Sequence, residues 1–574
     1  MKPCSPNRGL QGGRLLAGLL FVVLFAGCHR DPGKVTGVPS PPASTPSPTR
    51  FVDVAASAGL HYQWQIEGKR PLNILQTIGN GCAFLDYDND GNLDILLIGP
   101  HPALYRGDGK GGFSDVTQAT GLKDLSGHFL GCAVGDYDND GYDDLYLSGY
   151  GTGVLLHNDQ GKHFSDVTRQ AGLKPQPWGT SCAFAETVPG SRRLDLFVAN
   201  YAHFSQDPKI PQLCESRGIQ TSCGPRYYTP LRGVFYRNLG QGRFADDGKA
   251  LNIASTHGRG LGVAFAPLDS NGQPTLAIAN DELFGDLLTP SLQNGQVRYI
   301  NSAGSAGVAG DRDGNIHGGM GADWGDYDND GRFDLFVATF QGEVKSLYHN
   351  DGNGIFSDSS YMTGVASFAM ADVAFGCKLF DFDNDGSLDI VIANGHVQDN
   401  IQAIDSSATY RQKPVLLHNL GGTPPKFENI SATAGPDLSR SIVGRGLAVG
   451  DYDNDGRLDV LVVDSEGSPL LLHNETPAAG HWLSVKLIGK HSNRDGIGAV
   501  LTATAGGRTL TALCHADGSY LSSSDLRVHF GLGAATTVDT LTVRWPDGHT
   551  DVLKNVVGNR FLTVEEEDHL QVGQ

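Results

Sequence analysis

Basic residues are scarce in this sequence. It has 43 lysines and arginines against 63 aspartates and glutamates, which gives a formal net charge of -20. Nucleic acids are bound by basic surfaces, so this deficit argues against a nucleic-acid partner. The charge balance instead favours cations as ligands.

A long helical stripe of apolar residues is also missing, and only 39% of the residues are hydrophobic. Seventy-seven glycines and 28 prolines fit a turn-rich all-β protein better than a helical one. The length of 574 residues exceeds what one hydrophobic core usually organises. We therefore expect several domains or a repeat architecture.

The N-terminus has the features of an export signal. Lys2, Arg8 and Arg14 precede an apolar run over residues 15–26, which is too short to span a membrane comfortably. We therefore expect a signal peptide over residues 1–28, followed over residues 29–50 by a tether rich in proline, serine and threonine.

The end of the apolar run, Leu-Phe-Ala-Gly-Cys, resembles a bacterial lipobox, in which Cys28 would be lipidated and become the mature N-terminus. Phe25 departs from the small or aliphatic residue usual at its position, so simple cleavage and an uncleaved anchor remain alternatives. The expected location is the bacterial cell envelope, with the protein held to a membrane through the lipid on Cys28. Either membrane leaflet is compatible with the sequence.

An aspartate-rich nonapeptide of the form Asp-x-Asp-Asn-Asp-Gly-x-x-Asp recurs in this chain. Intact copies begin at Asp86, Asp136, Asp326, Asp381 and Asp451. Two weaker copies cover residues 182–198 and 262–272. Seven copies spaced by roughly 50 to 80 residues fit the size of propeller blades with four strands each. We predict an all-β fold: a seven-bladed β-propeller over residues 51–476, followed by a small β-sandwich over residues 481–567.

The N-terminal strand is predicted to complete the last blade. The repeat units continue with an apolar run and then an aromatic residue with Asp or Asn two places later, but no such segment follows the last copy. Residues 51–60 match residues 164–173 and precede the first loop. Pairing this strand with the last blade would join the two ends of the ring and protect the sheet edges.

The repeats resemble the FG-GAP or VCBS repeats of integrin-like propellers, and the resemblance covers residues 51–476. Calcium takes six to eight oxygen ligands, and alternating carboxylates on a tight loop can converge on one such ion. We expect about five calcium ions, with aspartates at positions one, three, five and nine and the backbone carbonyl of position seven as ligands. These residues are Asp86, Asp88, Asp90, Asn92 and Asp94; Asp136, Asp138, Asp140, Tyr142 and Asp144; Asp326, Asp328, Asp330, Arg332 and Asp334; Asp381, Asp383, Asp385, Ser387 and Asp389; and Asp451, Asp453, Asp455, Arg457 and Asp459.

Two alternatives to these calcium sites exist for acidic loops of this kind. An EF-hand needs a glutamate at position twelve and flanking helices, whereas these loops have leucine, isoleucine or valine there and lead into strands. Solvated acidic turns without metal are the other alternative. The two weaker copies should bind no metal, because Arg192 and Arg193 crowd one, while Pro267 and Thr275 replace outer ligands in the other.

Two kinds of cysteine are expected. Cys214 and Cys223 lie close together in an irregular insertion over residues 201–233, and we expect them to form a disulfide in an exported protein. Four others occupy one register within their repeats and are interpreted as small buried hydrophobic residues: Cys82, Cys132, Cys182 and Cys377.

From His481 onward the sequence alternates as strands do. Its segments Trp-Leu-x-Val-x-Leu-x-Gly, Ser-Asn-Arg-Asp-Gly-Ile-Gly-Ala, His-Phe-Gly-Leu-Gly and Trp-Pro-Asp-Gly resemble the ASPIC/UnbV domain. That domain accompanies FG-GAP repeats in the cartilage acidic protein family and its bacterial, lipoprotein-type relatives. The resemblance implies architecture rather than a reaction.

The first functional hypothesis is a non-enzymatic binding protein that presents its loops to a protein or glycan. The second is an enzyme, with its site in the propeller channel or under the insertion, where these residues accumulate: Tyr201, His203, Asp207, Arg226, Tyr227 and Tyr228. His515, Asp517 and Ser519 form another polar group, which we interpret as a loop rather than a catalytic set. A purely structural envelope protein is the third hypothesis.

Overall fold

The computed structural model describes residues 49–567, except residues 206, 208, 270–271, 294–295, 369 and 478–479. The predicted signal peptide, Cys28 and most of the tether lie outside the described residues. Within the described part of the chain, no helix is long and apolar enough to cross a membrane.

Short strands dominate the described chain. In order they are β1 (Phe51–Asp53), β2 (Cys82–Leu85), β3 (Asp94–Leu97), β4 (Ala103–Gly107), β5 (Phe113–Asp115), β6 (His128–Gly135), β7 (Asp144–Tyr150), β8 (Gly153–Asn158), β9 (Phe164–Asp166), β10 (Gly179–Ala185), β11 (Asp195–Asn200), β12 (Leu213–Ser216), β13 (Ile219–Ser222), β14 (Val234–Gly240), β15 (Arg243–Asp246), β16 (Gly260–Ala266), β17 (Thr275–Asn280), β18 (Asp286–Gln293), β19 (Gln296–Asn301), β20 (Gly319–Gly325), β21 (Asp334–Thr339), β22 (Ser346–Gly352), β23 (Ile355–Asp358), β24 (Ala374–Phe380), β25 (Asp389–Asn394), β26 (Val415–Gly422), β27 (Pro425–Asn429), β28 (Gly444–Gly450), β29 (Asp459–Asp464), β30 (Leu470–Asn474), β31 (His481–Ile488), β32 (Val500–Ala505), β33 (Arg508–Leu513), β34 (Val528–Gly533), β35 (Thr537–Arg544), β36 (Thr550–Val557) and β37 (Arg560–Glu565).

Helices are short and lie between strands. The α-helices are α1 (Ile74–Thr77), α2 (Thr168–Ala171), α3 (Ala303–Ala306), α4 (Ser360–Thr363) and α5 (Ile401–Ile404). Single 3₁₀ turns occur at Leu122–Asp124, Pro225–Tyr227, Ile253–Ser255, Val365–Ser367 and Asp437–Ser439.

Before residue 481 the described strands form seven four-stranded antiparallel sheets and one two-stranded sheet, β12–β13. Sheets one to seven are β2–β5, β6–β9, β10–β11–β14–β15, β16–β19, β20–β23, β24–β27, and β28–β30 with β1. The first strands of successive sheets contact one another in a closed cycle, so these strands line the centre of a ring. The sheets pack face to face, which buries apolar side chains on both sides of the inner strands, as the wholly buried β2 and β3 illustrate. The predicted all-β, propeller-type fold is confirmed.

Strand β1 closes the ring. Phe51 pairs with Asn474 and Asp53 with Leu472, which makes β1 the outer strand of sheet seven. The Phe51 side chain is 1% exposed and lies in the core that sheets six and seven share. The predicted completion of the last sheet by the N-terminal strand is therefore confirmed.

The strands from β31 onward form a second body, the sandwich. Strands β34, β31 and β37 make one sheet, in which β31 and β37 run parallel. Strands β33, β32, β35 and β36 make the other. Side chains from both sheets share one core that includes Leu483, Leu501, Phe530 and Trp545, as expected for a small β-sandwich.

One segment of the sandwich enters the ring. Between β33 and β34, residues 516–524 are all buried, and they are called the plug here. The plug hydrogen-bonds to the innermost strand of every sheet: Cys82, Cys132, Ser181, Phe265, Ala322, Cys377 and Val449 each take part. Gly81 shows how close this approach is, because a Cβ there would lie 1.8 Å from the Leu521 carbonyl oxygen. Sequence patterns gave no indication of this contact.

The insertion crosses the ring from sheet three. Its hairpin β12–β13 carries a Cys214–Cys223 disulfide and reaches the segment before α5, where Thr221 Oγ1 donates to Asn400 Oδ1 at 2.8 Å. Phe204 and Tyr228 pack with Tyr520 of the plug in one buried cluster. The centre of the ring is therefore filled by packed side chains from the plug, the insertion and α1.

Candidate metal centres

Each aspartate loop joins the innermost strand of its sheet to the second strand. Loops one to seven take the number of their sheet, and the intact ones cover residues 86–94, 136–144, 326–334, 381–389 and 451–459. In loop two, both carboxylate oxygens of Asp136 accept backbone N–H bonds, from Asp140 at 3.0 Å and Gly141 at 2.7 Å. Asn139 has a φ of 63° and Gly141 a φ of 95°. This left-handed turn is why asparagine and glycine occupy positions four and six.

The aspartate at position nine fixes the loop from the other side. Asp144 is wholly buried, and its two oxygens accept N–H bonds from Tyr137 at 3.2 Å and Asn158 at 2.8 Å. The same pair of bonds is made by Asp94, Asp334, Asp389 and Asp459. The carboxylates at positions one and nine are therefore held by the backbone, and the loop needs no metal to place them.

The position-four asparagines link each of the five intact loops to the loop that follows it around the ring. Their amides donate from Asn89 to the carbonyl of Gly141, from Asn139 to that of Arg192, from Asn329 to that of Gly386, from Asn384 to that of Gly456, and from Asn454 to the side chain of Asn92. Loops five, six, seven, one, two and three therefore form a connected belt on one face of the ring.

Histidines complete the acidic groups in four sheets. His157 follows Leu156 on the third strand, and its Nδ1 lies 3.2 Å from Asp144 Oδ1 and 3.5 Å from Asp138 Oδ2. Equivalent groups are Asp328, Asp330 and His349; Asp383, Asp385 and His418; and Asp453, Asp459 and His473, with all potential ligand atoms of each group within 4.8 Å of one another. The sequence carried a signal for these histidines, because a His-Asn pair lies in the third strand of each of the four sheets.

Loop one is different because basic side chains reach its aspartates. Arg106 occupies the third-strand position that histidine has elsewhere, with Nε 2.5 Å from Asp88 Oδ2 and Nη2 2.6 Å from Asp90 Oδ2. Lys486 of the sandwich lies 3.2 Å from Asp86 Oδ2. Loop one therefore brings the expected aspartates together, but three of them are already paired with the basic side chains of Arg106 and Lys486.

Arginines at position seven also touch two of the loops. Arg332 pairs with Asp330 and donates to the backbone carbonyl of Asn350, and Arg457 does the same with Asp455 and Asn474. Each arginine engages only the position-five aspartate of its loop. The other three aspartates and the histidine stay grouped in loops five and seven.

The two weaker loops have lost the acidic group. In loop three, Arg237 pairs with Asp195 at 3.0 Å, and Glu186 accepts bonds from Arg192 and from Asn493 of the sandwich. In loop four, Thr275 stands where the other loops have the position-nine aspartate.

The sandwich sits on the face that carries the loops. Asp136 N donates to Asp495 Oδ2 at 2.7 Å, and Arg494 N donates to Asn139 Oδ1 at 2.8 Å. Further contacts join His529 to Asn384, Arg527 to the Asp451 carbonyl and Asn454, and Arg508 to the carbonyls of Asp385 and Gly386. Loops one, two, three, six and seven thus form the platform on which the sandwich rests.

Comparison with protein-family models matches two parts of the chain. Residues 489–571 match "ASPIC and UnbV", and residues 86–147 and 326–392 match "FG-GAP-like repeat". This chain carries FG-GAP-like repeats and an ASPIC/UnbV domain. Both architectural resemblances inferred from the sequence are confirmed.

The chain is similar to cartilage acidic protein 1 from three vertebrates. Identity is 26% to the Mus musculus protein, over 71% of this chain and 58% of that protein, and 26% to the Homo sapiens protein, over 66% and 52%. Identity to the Xenopus tropicalis protein is 24%, over 82% of this chain and 70% of that protein. The chain thus spans little more than half the length of the mouse and human relatives.

Solved structures that align with this chain have low sequence identity to it. An Agrocybe aegerita lectin that recognises non-reducing terminal N-acetylglucosamine has a TM-score of 0.38 and 14% identity, over 69% of this chain and 94% of that chain. Saccharomyces cerevisiae Sqt1 also has a TM-score of 0.38, with 10% identity, over 75% and 100%. At these TM-scores the likeness carries no functional conclusion.

The chemistry of the FG-GAP-like loops fits a divalent cation in loops two, five, six and seven. Burial raises the pKa of Asp144, Asp326 and Asp451 to about 8, and it raises the pKa of Asp389 well above its usual range. A buried carboxylate next to others ionises readily only when a positive charge is near. In the absence of a metal, the neighbouring Asp144 carboxylate raises the pKa of His157 to about 9, so the imidazolium supplies part of that charge.

The insertion residues do not converge on an open site. Tyr201 is buried and donates to Asp281 Oδ2 at 2.5 Å, and Tyr228 donates to the Pro211 carbonyl at 2.9 Å. Arg226 pairs with Glu282, Tyr227 is 61% exposed, and His203 and Asp207 are exposed. These six side chains therefore serve packing, surface pairing or solvent contact rather than one common cavity.

The polar group near the plug is structural as well. His515 Nδ1 lies 2.8 Å from Asp517 Oδ1, and Asp517 Oδ2 accepts from Phe265 N at 2.9 Å. The Ser519 hydroxyl donates to the Leu447 carbonyl and accepts from Cys377 N. The serine is therefore engaged by backbone groups of the ring and not by His515, as expected for a polar loop.

Proposed function

We propose that this chain is a calcium-binding β-propeller scaffold, exported and held at the bacterial cell envelope by a lipid on Cys28, which binds a protein or glycan without catalysis. The observation that carries the proposal is the recurrence of one carboxylate loop on one face of the ring, with the ASPIC/UnbV sandwich seated on that face. Loops on a rigid ring suit display to a partner.

Calcium would be held by the aspartates at positions one, three, five and nine, with the position-seven carbonyl. Bound calcium supplies positive charge where burial and mutual repulsion disfavour ionised carboxylates. Because the loops are linked to one another and to the sandwich, a cation in one loop would stabilise the belt as a whole. The role of the metal is therefore to stiffen the surface that the scaffold presents.

A calcium titration tests the metal. We expect calorimetry on chelator-treated protein to show calcium binding, and the melting temperature to fall when calcium is removed. Asp383→Asn should lower the number of bound calcium ions by one, while Asp313→Asn, at an exposed side chain outside the aspartate loops, serves as a control. An unchanged melting temperature in chelator, together with no heat of binding, would contradict the proposal.

Two further experiments test location and binding. Metabolic labelling with an alkyne fatty acid should label the wild type and not Cys28→Ser, and labelling of neither would contradict the lipid anchor. Purified envelope proteins and surface glycans can then be screened against the immobilised protein in calcium and in chelator. A partner bound equally in both conditions would contradict a display role for the metal loops.

A further inference from the structure

One residue position distinguishes the loops from one another. It is the residue on the third strand that faces the aspartates of its own sheet, and it is called the gate position here. Histidine stands there in sheets two, five, six and seven, and arginine stands there in sheets one and three: His157, His349, His418, His473, Arg106 and Arg237. The sheets with arginine are sheet one and a sheet whose loop has decayed.

The histidines are aimed at the acidic groups. His349 Nδ1 lies 3.3 Å from both Asp328 Oδ2 and Asp334 Oδ1, and His418 Nε2 lies 3.3 Å from Asp383 Oδ2. The Nδ1 atoms of His157 and His349 are buried, and their contacts to carboxylate oxygens at 3.2 to 3.5 Å lack the alignment of a hydrogen bond. A buried ring nitrogen that faces two carboxylate oxygens without a well-aligned hydrogen bond is placed as a metal ligand would be.

Arg106 shows the opposite arrangement. Its guanidinium bridges the aspartates at positions three and five of loop one. In loops two and six a histidine faces these carboxylates, and in loops five and seven an arginine pairs with the position-five aspartate but leaves the position-three aspartate to the histidine. Two charge-assisted contacts supply the positive charge that a metal ion would otherwise bring. Arg237 makes the same kind of contact to Asp195 of loop three, and there the acidic group is gone.

We infer that the gate histidines are metal ligands and that Arg106 takes the place of the metal in loop one, so that the chain holds four divalent cations rather than five. This inference rests on the proposed metal-binding function. Each occupied site combines carboxylate oxygens with one imidazole nitrogen. Such a donor set accepts Mn²⁺ as well as Ca²⁺, because carboxylates suit both ions and imidazole suits transition metals.

The number of sites is measured with the full chain, stripped of metal and then dialysed against Mn²⁺ or Ca²⁺. Elemental analysis should give four ions per chain. Arg106→His should raise the number to five, and His157→Ala should lower the affinity of one site at least tenfold. His163→Ala, an exposed histidine in sheet two, is the matched control and should leave four sites unchanged.

Electron spin-echo spectroscopy of the Mn²⁺-loaded protein tests whether a histidine nitrogen binds the metal directly. Modulation from a directly bound imidazole nitrogen is expected in the wild type and should weaken in His157→Ala. Five ions in the wild type, or four ions without nitrogen modulation, would overturn the inference while leaving the proposed function in place. If the chain binds neither Mn²⁺ nor Ca²⁺, the proposed function fails and this inference fails with it.

Discussion

At the residue scale, single buried asparagines connect neighbouring loops. Asn158 is fully buried, and its amide donates to the carbonyls of Tyr87 at 2.8 Å and Asp143 at 2.9 Å. Tyr87 belongs to loop one and Asp143 to loop two, so one side chain joins two sheets. Asn238, Asn419 and Asn474 make equivalent pairs of bonds.

Asn158→Ala should be strongly destabilising. The change leaves two buried carbonyl groups without donors, which costs about 2 to 4 kcal/mol of unfolding free energy. Chemical denaturation in chelator measures this loss without a contribution from metal. Gln118→Ala, at an exposed side chain, should change the unfolding free energy by less than about 0.5 kcal/mol. Equal effects of the two substitutions would contradict the linking role of Asn158.

A second residue-scale prediction concerns Asp281 beneath the insertion. Burial raises its pKa to about 7, and the groups facing it are Tyr201, Arg259, Glu282 and Glu343. An unfolded aspartate has a pKa of about 3.9, so the folded protein binds this proton more tightly. The contribution of this proton to the free energy of unfolding is fully present below about pH 4 and is lost as the pH rises through about 7.

Asp281→Asn should reduce the dependence of the unfolding free energy on pH. The wild type should lose on the order of 2 to 4 kcal/mol more than the variant between pH 4 and pH 8. Urea unfolding at several pH values, with metal removed, measures the slope. Asp124→Asn, at an exposed position, is the control and should keep the wild-type slope. Parallel slopes for wild type and Asp281→Asn would show that Asp281 is ionised in the folded protein.

At the scale of elements, closure of sheet seven depends on a strand of three residues. Phe51 of β1 is 1% exposed and packs against Phe382, with ring centroids 6.0 Å apart. Phe51→Ala should cost about 3 to 5 kcal/mol, because it removes a large buried side chain and leaves a cavity. Arg50→Ala removes an exposed ion pair with Glu475 and should cost less than about 1 kcal/mol. Guanidinium unfolding midpoints compare the two variants, and similar midpoints would contradict a closing role for β1.

The elements that could be predicted from the sequence are those that a short, repeated sequence motif specifies. The aspartate loops, the strands that flank them and the pairing of residues 51–53 with the last sheet all follow from one pattern that recurs along the chain. The gate histidines had the same kind of signal, since a His-Asn pair lies in the third strand of four sheets. Arg106 could be compared with them only after the third strands were aligned on the structure.

The plug could not be predicted from the sequence. Ser522 accepts from Cys82 N, a residue 440 positions earlier, and Ser519 accepts from Cys377 N, 142 positions earlier. Serine and glycine in a short segment indicate a surface turn just as well as a buried one. Their burial follows from the ring, whose innermost strands present unpaired N–H and C=O groups that the plug satisfies.

At the scale of the whole molecule, the plug ties the sandwich to the ring, and we expect the two bodies to unfold together. Tyr520 is fully buried, donates to the Ile78 carbonyl at 2.8 Å and packs on Phe375 at 4.9 Å between ring centroids. Its segment belongs to the sandwich, while both partners belong to the ring. A loss of packing at Tyr520 should therefore reach both bodies.

Tyr520→Ala should lower the unfolding free energy by about 3 to 5 kcal/mol, through the lost burial and the unpaired Ile78 carbonyl. Hydrogen exchange followed by mass spectrometry should show faster exchange in peptides from β21 of the ring and from β35 of the sandwich, because a shared unfolding unit loses protection together. Val557→Ala, at a sandwich side chain that is 58% exposed, should leave both peptides unchanged. Faster exchange in β35 alone would mean that the sandwich opens independently of the ring, and the plug would then be a contact between two separate folding units.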